Sequence, residues 1–289
     1  MRSEKVELIA DTARFPDLRV TTFMVEIPIY TRTHILTHRA LSRNGASSRA
    51  IPLERCDFSY TPYVFPKEND RMIPGDVFDR ESEEHLKFTQ EWHEHRDATL
   101  ARAGLAWDWE NSKAVQFENV NSLYTSSGAK AHKEILSRLV EPFKLVKFII
   151  TATAWKNFFF LRCNKAAQDS IRYVATEMKR IRDENIPDHK EYHLPFISNE
   201  EYQEFGVSDS ALISAGRCAS VSFGTTNKDN EKALRLSKRL QKDGHWSPFE
   251  HQAILISPSS LVSWENLCGN FQNGVVQHRH LLHSGKVFA

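Results

Sequence analysis

The segment between positions 37 and 49 is rich in the types of side chain that can bind anions. It reads THRALSRNGASSR and gathers arginine, histidine, asparagine and serine around one glycine. A guanidinium group presents a planar fork of donors that suits a phosphate, and serine hydroxyls and loop amides add short donors. Arg39 and Arg49, with Ser47 between them, therefore predict a monophosphate site. The alternative is a solvated basic turn, since such clusters are common on protein surfaces.

A second group lies at residues 245–251, which read HWSPFEH. Pro248 should fix a turn or start a helix. One interpretation is a helix N-terminus in which Ser247 is the cap and Glu250 completes a capping box. The other is a set of polar side chains that serves a ligand, and this short segment alone is compatible with both.

A third group runs from residue 134 to residue 173. Glu134 and Arg138 stand four residues apart, Glu141-Pro142 follows, and residues 157–173 read NFFFLRCNKAAQDSIRY. Pairs four residues apart and aromatic runs mostly support a helix or fill a core. On its own, this group carries no functional prediction.

Taken together, the three groups resemble the flavin-dependent thymidylate synthases. That family carries Arg-His-Arg, seven residues and then Ser, with Asn-Glu inside and a later Arg. Here Thr37-His38-Arg39 stands at that distance from Ser47, and the strand before it matches from Thr22 onward. Asn44 and Arg49 fall at the expected positions. HWSPFEH fits every fixed position of the family's block His-x-Ser/Thr-Pro-x-Glu-His.

Further parts of the resemblance lie in the third group and near residue 217. The family has an arginine before a Leu-Pro pair, then Asn, Leu-x-x-Arg and Ala-Gln-x-Glu-Ile-Arg. The corresponding residues here are Arg138, Asn157, Leu161-Arg162, Ala167-Gln168 and Ile171-Arg172. Residues 213–223 (ISAGRCASVSF) resemble the family's Ala-Arg-Val-Ser block, with Ser220 where its Arg is expected and Arg217 nearby.

The resemblance assigns expected roles to individual residues. It implies nucleotide binding by Arg39, Ser47, Arg49, Arg138 and Arg172. Cofactor contacts are implied for His38, Asn157, Ser247, Glu250 and His251. The expected catalytic residues are Arg172 and His245. Arg172 would polarise the uracil ring, and His245 would lie near the folate. The implied cofactors are FAD, 5,10-methylenetetrahydrofolate and NADPH as reductant, the substrate is dUMP or a related pyrimidine nucleotide, and the assembly is a homo-oligomer, a tetramer or a dimer.

Three departures from the family pattern bear on the reaction. Thr37 replaces an arginine, Gly45 replaces the glutamate after the asparagine, and Ser170 replaces another glutamate. They favour, as a second hypothesis, hydroxymethylation or another flavin-dependent C5 modification. A third hypothesis is a flavin- or nucleotide-binding protein without turnover, or a module for single-stranded nucleic acid. The net charge of +1 argues against the nucleic-acid version.

The order of these segments differs from that of the family, in which the Ala-Arg-Val-Ser and histidine blocks come first. Here they follow the Arg-His-Arg signature, which indicates a circular permutation within one domain, residues 1–289. A circular permutation is feasible because the two termini of a domain often lie close together at the surface. It predicts that Glu250 and His251 lie in space just before Thr22, close to Phe23.

The elements that position these residues follow from hydrophobic periodicity. We expect strands at Val20–Thr31 and Gln252–Ser257, a loop at Asn44–Ser48 and irregular chain at Pro52–Gly75. We expect helices at Thr33–Ser42, Phe78–Leu105, Lys130–Asn157, Lys165–Glu184, Asp209–Ser220 and Glu231–Lys242. The apolar run Leu145–Trp155 is interpreted as a buried helix. The expected class is α+β, with long helices packed on a small antiparallel or mixed sheet.

Several classes of function are not expected. The four cysteines are widely spaced, which indicates reduced thiols in a cytoplasmic protein rather than a zinc site or disulfides. No membrane association is expected, because the apolar run is too short to span a bilayer. His93 and His95 face different sides of a helix, so no metal is expected there. Gln277-His278-Arg279-His280 is either a second anion site or a basic surface tail.

Overall fold

The computed structural model describes residues 2–15, 17–47, 51–69, 73, 75–116, 133–224, 228–257 and 266–285, except for the side chains of residues 133, 134 and 136. Ten strands and eight α-helices lie within this part of the chain. The strands are β1 (Lys5–Phe15), β2 (Leu18–Pro28), β3 (Ser42–Gly45), β4 (Leu105–Asp108), β5 (Lys113–Gln116), β6 (Leu145–Ala152), β7 (Asp188–His189), β8 (Tyr192–His193), β9 (Ala253–Leu255) and β10 (Val275–Gln277). The helices are α1 (Arg32–Leu36), α2 (Glu83–Arg102), α3 (Lys133–Leu139), α4 (Lys156–Arg162), α5 (Asp169–Glu184), α6 (Asn199–Val221), α7 (Asn230–Lys242) and α8 (His278–His283).

The main sheet has five strands in the order β3-β6-β2-β1-β7. Its neighbours are antiparallel, apart from the short parallel pair of β1 and β7. β1 and β2 form a hairpin whose turn contains Asp17 at φ 67°, a left-handed conformation that aspartate tolerates better than most residues. The predicted α+β class is confirmed by this mixture of sheets and helices.

The strand β6 occupies the position between β2 and β3, and it corrects the sequence prediction. Leu145–Trp155 was expected to be a buried helix within a longer helix ending at Asn157, but α3 ends at Leu139 and the apolar run is extended. A strand covered on both faces is apolar at nearly every position, so it lacks the alternation that marks a half-buried strand. The one charged residue, Lys147, stands opposite Glu26 of β2.

The core lies between this sheet and helix α5. The buried face of α5 consists of Ile171, Val174, Ala175 and Met178. These side chains belong to one apolar cluster with Phe23 and other inward residues of the sheet. The spacing of three and four residues is that of an amphipathic helix, which explains why the helix at Lys165–Glu184 was predictable from sequence.

A smaller sheet, ordered β10-β9-β8, carries the C-terminal part of the chain. Helices α6 and α7 pack against each other beside it, and α6 is kinked where Gly206 has φ 68°. The predicted helix at Glu231–Lys242 is confirmed within one residue, and the strand expected at Gln252–Ser257 is present as the shorter β9. The helix expected at Asp209–Ser220 is present, but α6 begins ten residues earlier, at Asn199.

Two local predictions near residue 40 are wrong. The helix expected at Thr33–Ser42 stops at Leu36, and the loop expected at Asn44–Ser48 begins as strand β3. The sheet register explains the second result, because Asn44 and Gly45 pair with Ile149 and Phe148 of β6. The helix predicted at Phe78–Leu105 is present as α2, and the irregular chain predicted at Pro52–Gly75 is also observed where it is described. Among the described residues, none of the helices has the length and apolar character needed to cross a membrane.

Candidate functional site

The centre of the candidate site is a contact between the loop after α1 and the end of α4. Arg162 donates from Nε to His38 Nε2 at 3.0 Å and from Nη2 to Thr37 Oγ1 at 3.0 Å. Because His38 Nε2 accepts this hydrogen bond, the neutral ring carries its proton on Nδ1. Burial lowers the pKa of His38, and the charges of Arg162 and Arg43 lower it further. His38 is therefore a neutral ring next to a fixed positive charge at neutral pH.

Packing and backbone contacts hold this loop in place. The His38 ring meets Phe158 edge-to-face, with ring centroids 5.1 Å apart. Arg43 Nη1 donates to the carbonyls of His38 at 2.8 Å and Leu41 at 2.9 Å. Phe158 is itself buried near the start of α4. The same short helix therefore positions both the Phe158 ring, which packs on His38, and the guanidinium group of Arg162.

A cavity of about 200 Å³ opens beside this contact. Its polar lining includes Thr37, His38, Arg39 and Asn157. This volume lies below the range of whole-ligand pockets, so the cavity suits one ring or one group of a larger ligand. The structure thus brings together residues of the first and third sequence groups.

A wider cleft of about 720 Å³ shares Arg39 with this cavity. It is lined by Arg39, Leu41, Arg43, Glu250, Gly269, Asn270, Gln277, Arg279 and His280. Glu250, from the HWSPFEH segment, forms an ion pair with Arg279. The cleft is therefore built from the signature loop, the histidine block and a C-terminal segment, and it has the size of a ligand pocket.

Arg172 does not lie in this cluster. It pairs with Asp169 at 2.9 Å and lines a separate aromatic cavity of about 570 Å³ that includes Tyr30, Tyr60 and Trp92. The hydroxyl of Tyr60 is 3.0 Å from the Ser170 hydroxyl, which explains locally why a short polar residue stands there. The ring-polarising role expected of Arg172 stays a prediction, and the arginine next to His38 is Arg162.

The HWSPFEH segment forms a 3-10 helix at Ser247–Glu250 that has no side-chain cap, so the capping-box interpretation is wrong. Pro248 and Phe249 are buried, whereas His245 and Ser247 are exposed. Only Glu250 of this segment lines the cleft. The roles expected of His245 and Ser247 stay predictions.

His251 is fully buried and joins the histidine block to the main sheet. Its Nδ1 lies 2.8 Å from Thr151 Oγ1, and that hydroxyl lies 2.7 Å from Thr22 Oγ1. One hydrogen-bonded side chain therefore separates His251 from Thr22, as the permuted order requires. The permutation itself stays a prediction. Burial of the His251 ring indicates a structural contact rather than an open cofactor contact.

The remaining nucleotide-binding residues are partly described. Ser47 is exposed at the end of the signature loop, Arg49 lies outside the described residues, and Arg138 is exposed and paired with Glu141 at the end of α3. Gly45 has a steric reason for its identity. A Cβ atom there would lie 2.0 Å from the buried ring of Phe148, so the family's glutamate does not fit this strand.

Two sets of site residues were missed or left open by sequence reasoning. Arg162 was matched to the family pattern without a role, although its place five residues after Asn157, on the same helix α4, was the available signal. The basic surface tail considered for residues 277–280 is wrong for its first half, because Gln277 and His278 are only 1% exposed. Within the described residues, no group of three or more His, Cys, Asp or Glu side chains is arranged to hold a metal ion.

Comparison with known proteins adds to this geometry. A family model described as thymidylate synthase complementing protein matches residues 17–188, more than half of the 289 residues. Among solved structures, the chain is similar to a crystal structure of the UMP/dUMP methylase PolB from Streptomyces cacaoi bound with 5-Br UMP, with 15% identity and a TM-score of 0.39. That likeness covers 62% of this chain and 88% of the other. No curated protein matches.

Proposed function

The chain belongs to the thymidylate synthase complementing protein family, and from this premise we propose that it is a flavin-dependent enzyme that modifies C5 of a uracil nucleotide. The proposed reaction replaces the C5 hydrogen of dUMP with a methyl group. The carbon comes from 5,10-methylenetetrahydrofolate, and the hydride comes from NADPH by way of the flavin. The match ends at residue 188, so it covers the signature loop and the third sequence group but not the histidine block.

The observation that carries the proposal is the contact of Arg162 with His38 and Thr37. It joins the end of α4 to the signature loop beside a cavity that Arg39 and Asn157 also line. A guanidinium group held in position stabilises negative charge that develops on a nearby ring. Negative charge on the uracil ring is what makes C5 nucleophilic, so we assign the polarising role to Arg162 and keep Arg172 as the alternative.

The donor set also fits a flavin dinucleotide. Arg39 and Arg43 face the larger cleft, Arg279 has a buried Nε that lacks a hydrogen-bond partner, and Glu250 supplies an acceptor. Glu250, His38 and Asn157 would hold the cofactor between the cleft and the small cavity. Bound reduced flavin supplies hydride. The residues of the protein orient the nucleotide, exclude water and hold the proton on His38 Nδ1.

Substrate phosphate binding is assigned to Arg39, Ser47 and Arg49, with Arg138 as an additional cation. His245 is retained as a residue near the folate, and Ser247 and His251 as residues on the flavin side. These assignments rest on the family pattern together with the position of Ser47 at the exposed end of the signature loop. We also propose that the protein is a homo-oligomer, since the exposed residues Phe160 and Leu161 lie next to Arg162 and its contacts with Thr37 and His38. The proposed location of the protein is the cytoplasm.

Hydroxymethylation is the second candidate, and the departures at Thr37, Gly45 and Ser170 favour it. The ring of Phe148 excludes a glutamate at position 45, so the polar surroundings of the nucleotide differ from the family pattern. The two products differ by one oxygen atom, because hydroxymethylation adds water where methylation adds hydride.

Absorption spectroscopy followed by product mass analysis tests both candidates. The purified protein should bind FAD, and its visible bands should shift when dUMP is added. With the folate donor and NADPH, a product should form that is heavier than dUMP by one CH2 unit. A product heavier by one further oxygen would move hydroxymethylation to first place. A protein that takes up no FAD would contradict the proposal.

A further inference from the structure

Arg2 lies outside the matched residues 17–188 and is fixed against the start of α5. Its Nη2 donates to Asp169 Oδ1 at 3.0 Å, and its Nη1 lies 2.7 Å from Asp169 Oδ2. The guanidinium carbon lies 4.0 Å from the ring centroid of Tyr63 and 4.3 Å from that of Tyr173. Two aromatic contacts and a two-pronged ion pair hold this group more firmly than a single surface salt bridge does. Arg2 is therefore a fixed part of the structure around Asp169.

The charge of Arg2 is secured by two carboxylates. Burial alone would lower the pKa of Arg2, but the hydrogen bond to Asp169 and the charges of Asp169 and Glu4 raise it overall. The side chain of Glu4 is 1% exposed and lies 3.8 Å from Arg2 Nη1. In the part of the chain that the structure describes, neither carboxylate oxygen of Glu4 has a hydrogen-bond partner. Arg2 thus balances a second, buried negative charge besides that of Asp169.

Asp169 is shared between Arg2 and Arg172. Arg172 donates from Nη2 to Asp169 Oδ1 at 2.9 Å and from Nη1 to the carbonyl oxygen of Lys165 at 3.3 Å. Oδ1 therefore accepts from both arginines, whereas Oδ2 faces Arg2. Without Arg2, both oxygens would be open to Arg172, and a guanidinium group favours two parallel bonds to a carboxylate. Arg2 thus limits Arg172 to one hydrogen bond with Asp169.

This arrangement determines the charge that the aromatic cavity presents to a ligand. Asp169 and Arg172 both line that cavity of about 570 Å³. With Arg2 in place, the carboxylate is neutralised from outside the cavity, and the positive charge of Arg172 is left for a ligand. Without Arg2, the carboxylate would neutralise Arg172 instead, and a ligand would have to break that pair before it could bind.

We infer that Arg2 is a positioning residue, which holds Asp169 and so keeps Arg172 available to a carbonyl or anionic group in the aromatic cavity. The contacts among these three side chains do not depend on the proposed function. Naming dUMP as the ligand that Arg172 serves does rest on it, so one of the two tests below uses no ligand.

Nitrogen NMR of the arginine side chains in the full-length protein tests the contact directly. R2Q should slow rotation of the Arg172 guanidinium group, because a second hydrogen bond to Asp169 becomes possible, and R172Q identifies the signal by its loss. Arg80→Gln is the matched control. The guanidinium carbon of Arg80 lies 3.9 Å from the same Tyr63 ring, and Arg80 donates to the Tyr63 hydroxyl rather than to Asp169. R80Q should leave the Arg172 signal unchanged, and equal or faster rotation in R2Q would overturn the inference.

Titration of the FAD-loaded protein with dUMP tests the consequence. R2Q should weaken dUMP binding about fivefold, close to the loss of one charge-assisted contact. The same substitution should have no effect in an R172Q background, since Arg2 acts through Arg172. Equal weakening in both backgrounds would show that Arg2 merely supports the wall of the cavity, and would overturn the inference. Wild-type protein that binds no dUMP would contradict the proposed function, and the NMR result would still decide the role of Arg2.

Discussion

Arg162 and His38 determine each other's state at the residue scale. The ring nitrogen accepts a hydrogen bond from a group that is always charged, and protonation of that nitrogen would set two cations 3.0 Å apart. Burial and the nearby charges of Arg162 and Arg43 all lower the pKa of His38. Burial first, and then the charge of Arg162, therefore favour the neutral form of the His38 ring.

Replacing Arg162 with glutamine should raise the pKa of His38. The substitution removes one of the positive charges that lower the pKa and also opens the ring to water. The measurement is an NMR titration of the His38 ring, in which nitrogen shifts also show whether the neutral proton resides on Nδ1.

Arg172→Gln is the matched control, because that arginine pairs with Asp169 at the aromatic cavity. It should leave the His38 titration unchanged. A His38 pKa that stays constant in R162Q would contradict the contact between Arg162 and His38.

The sequence located the signature loop at this scale but not its central partner. The spacing of Thr37, His38 and Arg39 from Ser47 identified the loop through its resemblance to the family signature. Arg162 and Arg172 both lie in helices that carry apolar residues, so the sequence pattern does not distinguish them. The packing of α4 and α5 against the sheet determines which arginine reaches the loop. That information is tertiary, and spacing along the chain does not contain it.

At the scale of elements, periodicity predicted the amphipathic helices and failed on β6. Helices such as α5 and α7 carry one polar face, which the sequence records directly. β6 is covered on both sides, and its apolar run is equally compatible with a buried helix. The short strand β3 was missed for a related reason, because it exists only through its pairing with β6.

The packing of α6 against α7 helps to position Glu250, because residues 245–250 follow shortly after the end of α7 at Lys242. Gly216 is the closest point of this pairing. A Cβ atom there would lie 2.1 Å from the carbonyl oxygen of Ala233, which is backbone and therefore has no alternative rotamer.

Gly216→Ala should force the two helices apart. We expect a loss of about 1–3 kcal/mol in the free energy of unfolding, the usual cost of overpacking, together with weaker ligand binding in the cleft. Urea denaturation gives the first quantity. Ser208→Ala, at an exposed position of the same helix, serves as control and should change stability by less than about 0.5 kcal/mol. A G216A protein as stable as wild type would contradict the close helix contact.

At the scale of the whole molecule, exposed apolar side chains border the candidate site. Leu36 precedes Thr37 and is 40% exposed, and Phe160 and Leu161 precede Arg162 and are 74% and 44% exposed. Thr37 and Arg162 are hydrogen-bonded, so these apolar residues flank one cluster. Large apolar residues grouped on a surface commonly mark a contact with another chain.

Phe160→Ser should lower the oligomeric state of the protein. Light scattering after size-exclusion chromatography should show a dimer or tetramer for wild type and a smaller species for the variant. Ile186→Ser is the control, because Ile186 is 89% exposed but lies beyond α5 and away from the cluster. Unchanged mass in F160S, or an equal loss in both variants, would exclude this face as the interface.

Three buried histidines link the stability of the whole fold to pH. Burial lowers the pKa of His193, His251 and His278 to about 3 in each case. His193 lies 2.7 Å from Thr22 Oγ1, and Thr22 is joined through Thr151 to His251, so two of these rings stabilise the same point of the main sheet. Each ring is neutral in the folded chain and binds a proton in the unfolded chain below about pH 6.5.

The free energy of unfolding should therefore be highest above about pH 6.5 and fall as the pH drops toward 3. Because the unfolded chain binds more protons in this window, each histidine contributes a slope of about 1.4 kcal/mol per pH unit. His251→Gln should lower stability at pH 7 through the lost contact with Thr151, yet flatten the slope between pH 6 and pH 4 by about that amount. Urea denaturation across this range measures it, with His95→Gln, an exposed histidine of α2, as the control that keeps the wild-type slope. Equal slopes in wild type and H251Q would mean that His251 is protonated in the folded protein, which its burial against Thr151 argues against.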